Sequence, residues 1–273
     1  MTTRRGTTPG RFTVRGPAGA ISALVWDGPP EELPVLFLHP VNTGASVWDA
    51  VAPALGRRAL AIDYRGHGRS DPGPSYLPAD FAADALAALD HVGWSTVALA
   101  GGSIGGAVAV EIASRVPERV AGVACFGATL RIGLTEGELA PALADLSARG
   151  PSDWFAANGA DIIGPASVPG VVERLVELSR GRESATVSEI VRATFSLADA
   201  RPAAQRLPRV PALVAVGTHD TTCPLSMATE LASHLRTDVV TLPGIGHLPM
   251  LEAPGEVARL LEELLRRADH PGG

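Results

Sequence analysis

Three residues far apart in the chain, Ser103, Asp220 and His247, are of the types that nucleophilic acyl transfer requires, and each directly follows a short apolar run. A serine hydroxyl is a weak nucleophile until a base takes its proton, and an imidazole does this well when a carboxylate fixes its tautomer. Ser103 stands in Gly101-Gly102-Ser103-Ile104-Gly105, between the strand-like run TVALA and the helical run GAVAVEIASRV. Asp220 ends ALVAVGTHD, and His247 ends VVTLPGIGH. All three therefore sit just past strands that feed one sheet edge, in the order serine, acid, histidine. Each also has a non-catalytic reading. The serine turn could simply close a strand, Asp220 could cap a helix starting near Pro224, and His247 could be an ordinary loop histidine.

A serine between a strand and a helix sits on a sharp turn whose flanking chain packs closely, and Gly101 and Gly105 permit this by lacking a Cβ. The N–H of Ile104 and the positive end of the following helix then face the space where an oxyanion would form. Of the other histidines, His67 in DYRGHGRSD reads as a loop support, and His91, His234 and His270 as solvated. His219 competes with His247, but a base adjacent in sequence to its orienting acid has difficulty facing it. No His, Cys and Asp cluster has metal-ligand spacing, and no Gly-rich loop has a nucleotide-cradling form, so no metal and no cofactor is expected.

The elements that must position these residues are legible as a pattern. RFTV and ISALVW read as an antiparallel hairpin. VLFLH, ALAID, TVALA, VAGVA and ALVAVG are uniformly apolar, as strands covered on both faces are. Helical patterns lie over 46–55, 79–92, 104–116, 225–235 and 255–268. Strict alternation gives a doubly wound, mostly parallel α/β sheet. The alternation breaks over 128–206, where helical stretches run together. This predicts a helical insertion above the carboxyl ends of the strands, flanked by 1–127 and 207–273 as the two parts of one core.

The formal charge of −6 gives no attraction for nucleic acid or acidic lipid, and all 23 basic residues are Arg with no basic-aromatic stripe among them. A small, neutral or weakly charged molecule is the expected partner, and oligomeric state is left open. Cys125 and Cys223 read as free thiols. The basic start MTTRRGTTPGRF is not followed by an apolar stretch of signal-peptide length, which predicts a cytoplasmic protein, and residues 1–10 read as a frayed tail.

Taken together, LFLHP at 36–40, DYRGHGRSD at 63–71, GGSIGG at 101–106, GTHD at 217–220 and GIGHLPMLEAP at 244–254 resemble the α/β-hydrolase superfamily over residues 20–268. The resemblance implies about eight strands, a helical cap matching the insertion, and a second oxyanion donor at the N–H of Val41. Pro40 stands where relatives usually have glycine, which leaves a shift of that donor to Asn42 open. Ser103 in place of Asp disfavours the haloalkane dehalogenase and epoxide hydrolase branches, and the insertion lacks the Tyr that the latter would need. FGATLRIGL at 126–134 is similar to the start of the cap in 3-oxoadipate enol-lactonases, where Arg131 would pair with a substrate carboxylate or else be solvated. HLPMLE lacks the aromatic residue that carbon-carbon bond hydrolases carry after the histidine. The implied activity is cleavage of a small-molecule ester or lactone through an acyl-enzyme, with Asn42, Arg131, Trp154, Phe155 and Phe195 as substrate contacts. Acyl transfer or cyclisation, carbon-carbon bond cleavage and a catalytically silent binding protein are the alternatives.

Overall fold

The apolar runs assemble into one eight-stranded sheet in the computed structural model, which describes residues 8–269. Most of the tail expected over 1–10, and His270, lie outside the described residues, whereas Gly10 already opens the first strand. The strands are β1 (Gly10–Arg15), β2 (Ala20–Trp26), β3 (Val35–Leu38), β4 (Ala59–Ile62), β5 (Val97–Gly102), β6 (Val120–Phe126), β7 (Ala212–Gly217) and β8 (Val239–Leu242). Their order is β1-β2-β4-β3-β5-β6-β7-β8. β1 and β2 form the antiparallel hairpin, β2 pairs antiparallel with β4, and every pairing from β4 to β8 is parallel. This is the doubly wound α/β architecture that the alternation implies.

Side chains on a strand alternate between faces, and here both faces are buried. Leu36, Leu38, Leu60, Ile62 and Leu99 join one apolar cluster with helices α2 (Pro78–Val92), α3 (Ile104–Arg115) and α9 (Leu225–Leu235). Val35, Phe37, Ala59, Ala61 and Ala98 join the other, with α1 (Ala52–Leu55) and α11 (Pro254–Asp269).

One helix departs from expectation. The pattern over 46–55 forms a 3-10 turn at Ala45–Trp48 and then the short α1, because Pro53 has no N–H to give to the carbonyl four residues earlier. Between β6 and β7 the inserted helices are α4 (Glu136–Arg149), α5 (Pro151–Asn158), α6 (Val171–Ser179), α7 (Ser184–Arg192), a π-helical turn at Ala193–Leu197 and α8 (Arg201–Ala204). Thr135 starts α4 with a reciprocal capping pair: Glu138 donates its N–H to the Thr135 hydroxyl at 3.3 Å, and its carboxylate accepts the Thr135 N–H at 2.8 Å. A short α10 (Pro249–Glu252) follows the β8 loop. Among the described residues no helix is long and apolar enough to cross a membrane.

Candidate active site

Parallel strands deliver their carboxyl ends to one edge, and the loops after β5, β7 and β8 carry Ser103, Asp220 and His247 there. Ser103 adopts φ 53° and ψ −122°, a left-handed conformation that costs a non-glycine residue about 1–3 kcal/mol and persists only where the surroundings impose it. The turn is imposed by close packing: a Cβ on Gly105 would strike the carbonyl of Leu38, and one on Gly101 the carbonyl of Gly105.

The three side chains form one hydrogen-bonded chain. His247 Nε2 lies 3.0 Å from Ser103 Oγ, and His247 Nδ1 lies 3.0 and 3.1 Å from the two oxygens of Asp220. A carboxylate only accepts, so Nδ1 carries the ring proton and Nε2 is free to accept from the serine hydroxyl. All three are buried. Asp220 Oδ1 also accepts the N–H groups of Thr222 and Cys223 at 3.0 and 2.8 Å, so the carboxylate serves the turn before α9 as well as the imidazole. Burial and the charge of Asp220 raise the Cys223 thiol well above its ordinary range, so it stays neutral. Cys125 and Cys223 are both free and buried.

The loop after β3 is fixed by a polar network. His39 Nδ1 and the Thr43 hydroxyl both donate to the carbonyl of Pro40 at 2.7 Å, while His39 Nε2 accepts the Tyr64 N–H at 3.1 Å. Burial pushes His39 down to about 4, which keeps the ring neutral and able to play both parts. In a trans peptide the N–H points away from the carbonyl, so clamping the Pro40 oxygen also aims the Val41 N–H. Neither the Val41 nor the Ile104 N–H has a partner among the described residues, and both residues line the space beside Ser103. The Asn42 N–H, left open as an alternative donor, is engaged elsewhere: Asn42, at φ 62°, gives it to His67 Nε2 at 3.2 Å. Pro40 is compatible with this loop because the free donor belongs to the residue after it.

Two residues passed over by motif reading hold these loops in place. Glu252 is fully buried. Its Oε2 accepts from the N–H of Gly246 at 2.7 Å, the N–H of Gly164 at 2.8 Å and the Ser167 hydroxyl at 2.7 Å, and its Oε1 accepts the Leu248 N–H at 2.7 Å. It thus braces His247 on both sides and ties it to the insertion. Arg182 reaches from the insertion to Asn42 Oδ1 at 3.1 Å and to the Gly66 carbonyl at 2.9 Å, and burial lowers it to about 10, still cationic at neutral pH. Glu252 lies inside the quoted GIGHLPMLEAP block, five residues after the histidine, as a lone acid among apolar neighbours; Arg182 carries no such signal.

A cavity of about 230 Å³ opens in front of Ser103 and His247. Its walls include Asn42, Leu139, Leu146, Trp154, Phe155 and Phe195, so four of the predicted contacts meet there. Arg131 is not among them. It is exposed and borders a separate narrow cleft of about 10 Å³, which also touches Ser103, Ile104 and Phe195. His219 is exposed beside the Thr218 hydroxyl and does not approach Ser103, and His67 braces the β3 loop as a loop support would. Among the described residues no group of three His, Cys, Asp or Glu side chains is arranged to hold a metal ion.

Residues 35–260 match the model of the alpha/beta hydrolase family. The chain belongs to that family. Over 254 residues, 86% of the chain, it is 29% identical to the dihydrolipoyllysine-residue acetyltransferase component of the acetoin cleaving system of Pseudomonas putida, spanning 64% of that protein. Over 106 residues, 38% of the chain, it is 37% identical to an esterase of Mycobacterium tuberculosis and spans 35% of it. The chain thus covers less than two thirds of the length of either relative. In fold, the chain superposes on the enol-lactonase from Burkholderia xenovorans with a TM-score of 0.82 at 23% identity, over 93% of this chain and 99% of that one.

Proposed function

We propose that this hydrolase cleaves the ester or lactone bond of a small molecule through an acyl-enzyme on Ser103. The observation that carries the reading is the unbroken chain from Asp220 through His247 to Ser103, opening on a cavity large enough for a substrate. As Oγ attacks the carbonyl carbon, its proton passes to His247 Nε2, and Asp220 stabilises the imidazolium that forms. The carbonyl oxygen becomes an oxyanion and takes hydrogen bonds from the N–H groups of Val41 and Ile104. Collapse breaks the bond to the leaving oxygen, which receives the proton from Nε2. Water, deprotonated by the same nitrogen, then releases the acid and regenerates the serine.

Asn42, Trp154, Phe155 and Phe195 hold the substrate through the cavity wall, while Arg131 is a solvated side chain at the rim of the cleft. The family membership and the esterase relative support hydrolysis of this kind. The test is turnover of naphthyl acetate by wild type and by His247→Ala. The variant is expected to lose about 10⁴-fold or more in kcat, since the three groups act as a unit. Unchanged turnover would reject the assignment.

A further inference from the structure

We infer that the substrate bears no anionic group, and that Phe195 sets this specificity by walling Arg131 off from the cavity in front of Ser103. The inference rests on the acyl-enzyme reading above and adds a charge requirement to it. Two spaces meet at Ser103. The narrow one, of about 10 Å³, is bordered by Val41 and Ile104, whose N–H groups take the oxyanion, and it opens to solvent past the exposed Arg131. With the carbonyl oxygen on that side, the rest of the substrate lies in the cavity of about 230 Å³, the one of the two that His247 borders.

Among the described residues lining that cavity there is no Arg, and the one ionisable side chain besides His247 is Glu138. Its carboxylate accepts from the N–H and the hydroxyl of Thr135 at 2.8 and 2.7 Å. The hydroxyl first and the N–H second hold it below the usual carboxylate range, so it is an anion at neutral pH. Arg182 lies behind Asn42 and gives its guanidinium to Asn42 Oδ1 and to the Gly66 carbonyl. A carboxylate carried into the cavity leaves water without gaining a positive partner and meets Glu138 as a like charge. An uncharged arm of the same shape pays neither cost.

Phe195 is the one residue of the inserted helices that borders both spaces, whereas Arg131 borders only the narrow one. This partition is tied in place. Phe195 lies in the π-helical turn, and its carbonyl accepts the N–H groups of Gly133 and Leu134, both at 2.9 Å. Just before them, the Arg131 N–H donates to the Thr129 hydroxyl at 3.3 Å, and the Arg131 carbonyl accepts from that hydroxyl at 3.1 Å. The guanidinium folds back over Gly133, where a Cβ would stand 2.8 Å from its central carbon. The backbone beside Arg131 is thus fixed while its exposed side chain can turn, and the ring of Phe195 stands between that side chain and the substrate.

Monoethyl adipate and its terminal amide are matched in shape and differ by one negative charge, so the ratio of their kcat/KM isolates the charge requirement. Wild type is expected to prefer the amide by about 100-fold, as burial of an unpaired charge predicts. Phe195→Ala should narrow that preference about tenfold, because the vacated space lets Arg131 turn toward the carboxylate. Adding Arg131→Gln to that variant should restore the preference. Arg131→Gln alone should leave the wild-type ratio unchanged, a readout that does not depend on how Phe195→Ala folds. Equal rates on the two esters, no narrowing in Phe195→Ala, or narrowing that survives Arg131→Gln would overturn the inference. So would a ratio altered by Arg131→Gln alone, or no cleavage of the amide by an enzyme that turns over naphthyl acetate. Each of these leaves the acyl-enzyme reading standing. Loss of wild-type turnover on naphthyl acetate itself, with Ser103 unreactive, would remove that reading as well.

Discussion

The strand ends and the inserted helices each supply half of the site, and they are held by different forces. On the strand side the reacting groups are placed by directional bonds: Asp220 accepts from two backbone N–H groups besides His247, and the Pro40 carbonyl is fixed by two side chains. Misplacing any of these strands a buried donor or acceptor, at about 1–3 kcal/mol each. On the insertion side the walls are mainly Leu, Trp and Phe, held by non-directional apolar contact that tolerates exchange of similar volumes. The chemistry is thus built rigid and the specificity adaptable. Glu252 and Arg182 are polar ties between the two halves, and Arg174, which reaches the Ser46 carbonyl at 3.1 Å and Asp49 at 3.3 Å, is another.

Several substitutions break or sharpen that contrast. The largest effect is expected from Asp220→Asn, which removes the acceptor that fixes the His247 tautomer; kcat should fall about 10⁴-fold while the fold is kept. Glu252→Gln comes next. An amide cannot accept from all four of its present donors, so stability should drop by about 3 kcal/mol, lowering Tm by about 6–12 °C, with a loss in kcat as His247 loosens. Arg182→Ala should lower kcat about tenfold at nearly constant KM, because Asn42 and with it the Val41 N–H lose their brace, and Arg182→Lys should restore part of the loss. Trp154→Ala should do the reverse, raising KM severalfold with kcat largely kept. A KM effect from Arg182 and a kcat effect from Trp154 would dissolve the distinction.

The smallest effect concerns pH. His39 is neutral in the folded protein down to about 4 but protonates near 6.5 when unfolded. Between those values the unfolded chain binds the extra proton, so the stability that neutral His39 contributes is complete above 6.5 and is lost as pH falls toward 4. The buried His67, pushed in the same direction, adds to this loss. Thermal melts across that window should show Tm falling with acidification, and a flat profile would contradict the neutral network around Pro40.

The parts of this molecule that were legible in its sequence are those with local signatures. Short, uniformly apolar runs mark β3 to β7, and the strained Ser103 turn announces itself through Gly101 and Gly105, because close backbone approach leaves no alternative residue. Glu252 and Arg182 escaped because their partners, Gly164, Ser167, Asn42 and Gly66, are distant in sequence and mostly backbone, which no residue pattern encodes. The 46–55 segment has a helical apolar period, but Pro53 interrupts its hydrogen-bond ladder and leaves two short turns. The aromatic residues Trp154, Phe155 and Phe195 reach the cavity, whereas Arg131 borders a different and much smaller space.

The central claim, that Ser103 is a nucleophile activated by His247, is tested most directly by labelling with a fluorophosphonate and mapping the adduct by mass spectrometry. The account predicts one covalent adduct, on Ser103, in the wild-type protein and none in Ser103→Ala. Full labelling of that variant, or an adduct on another residue of the wild type, would contradict it.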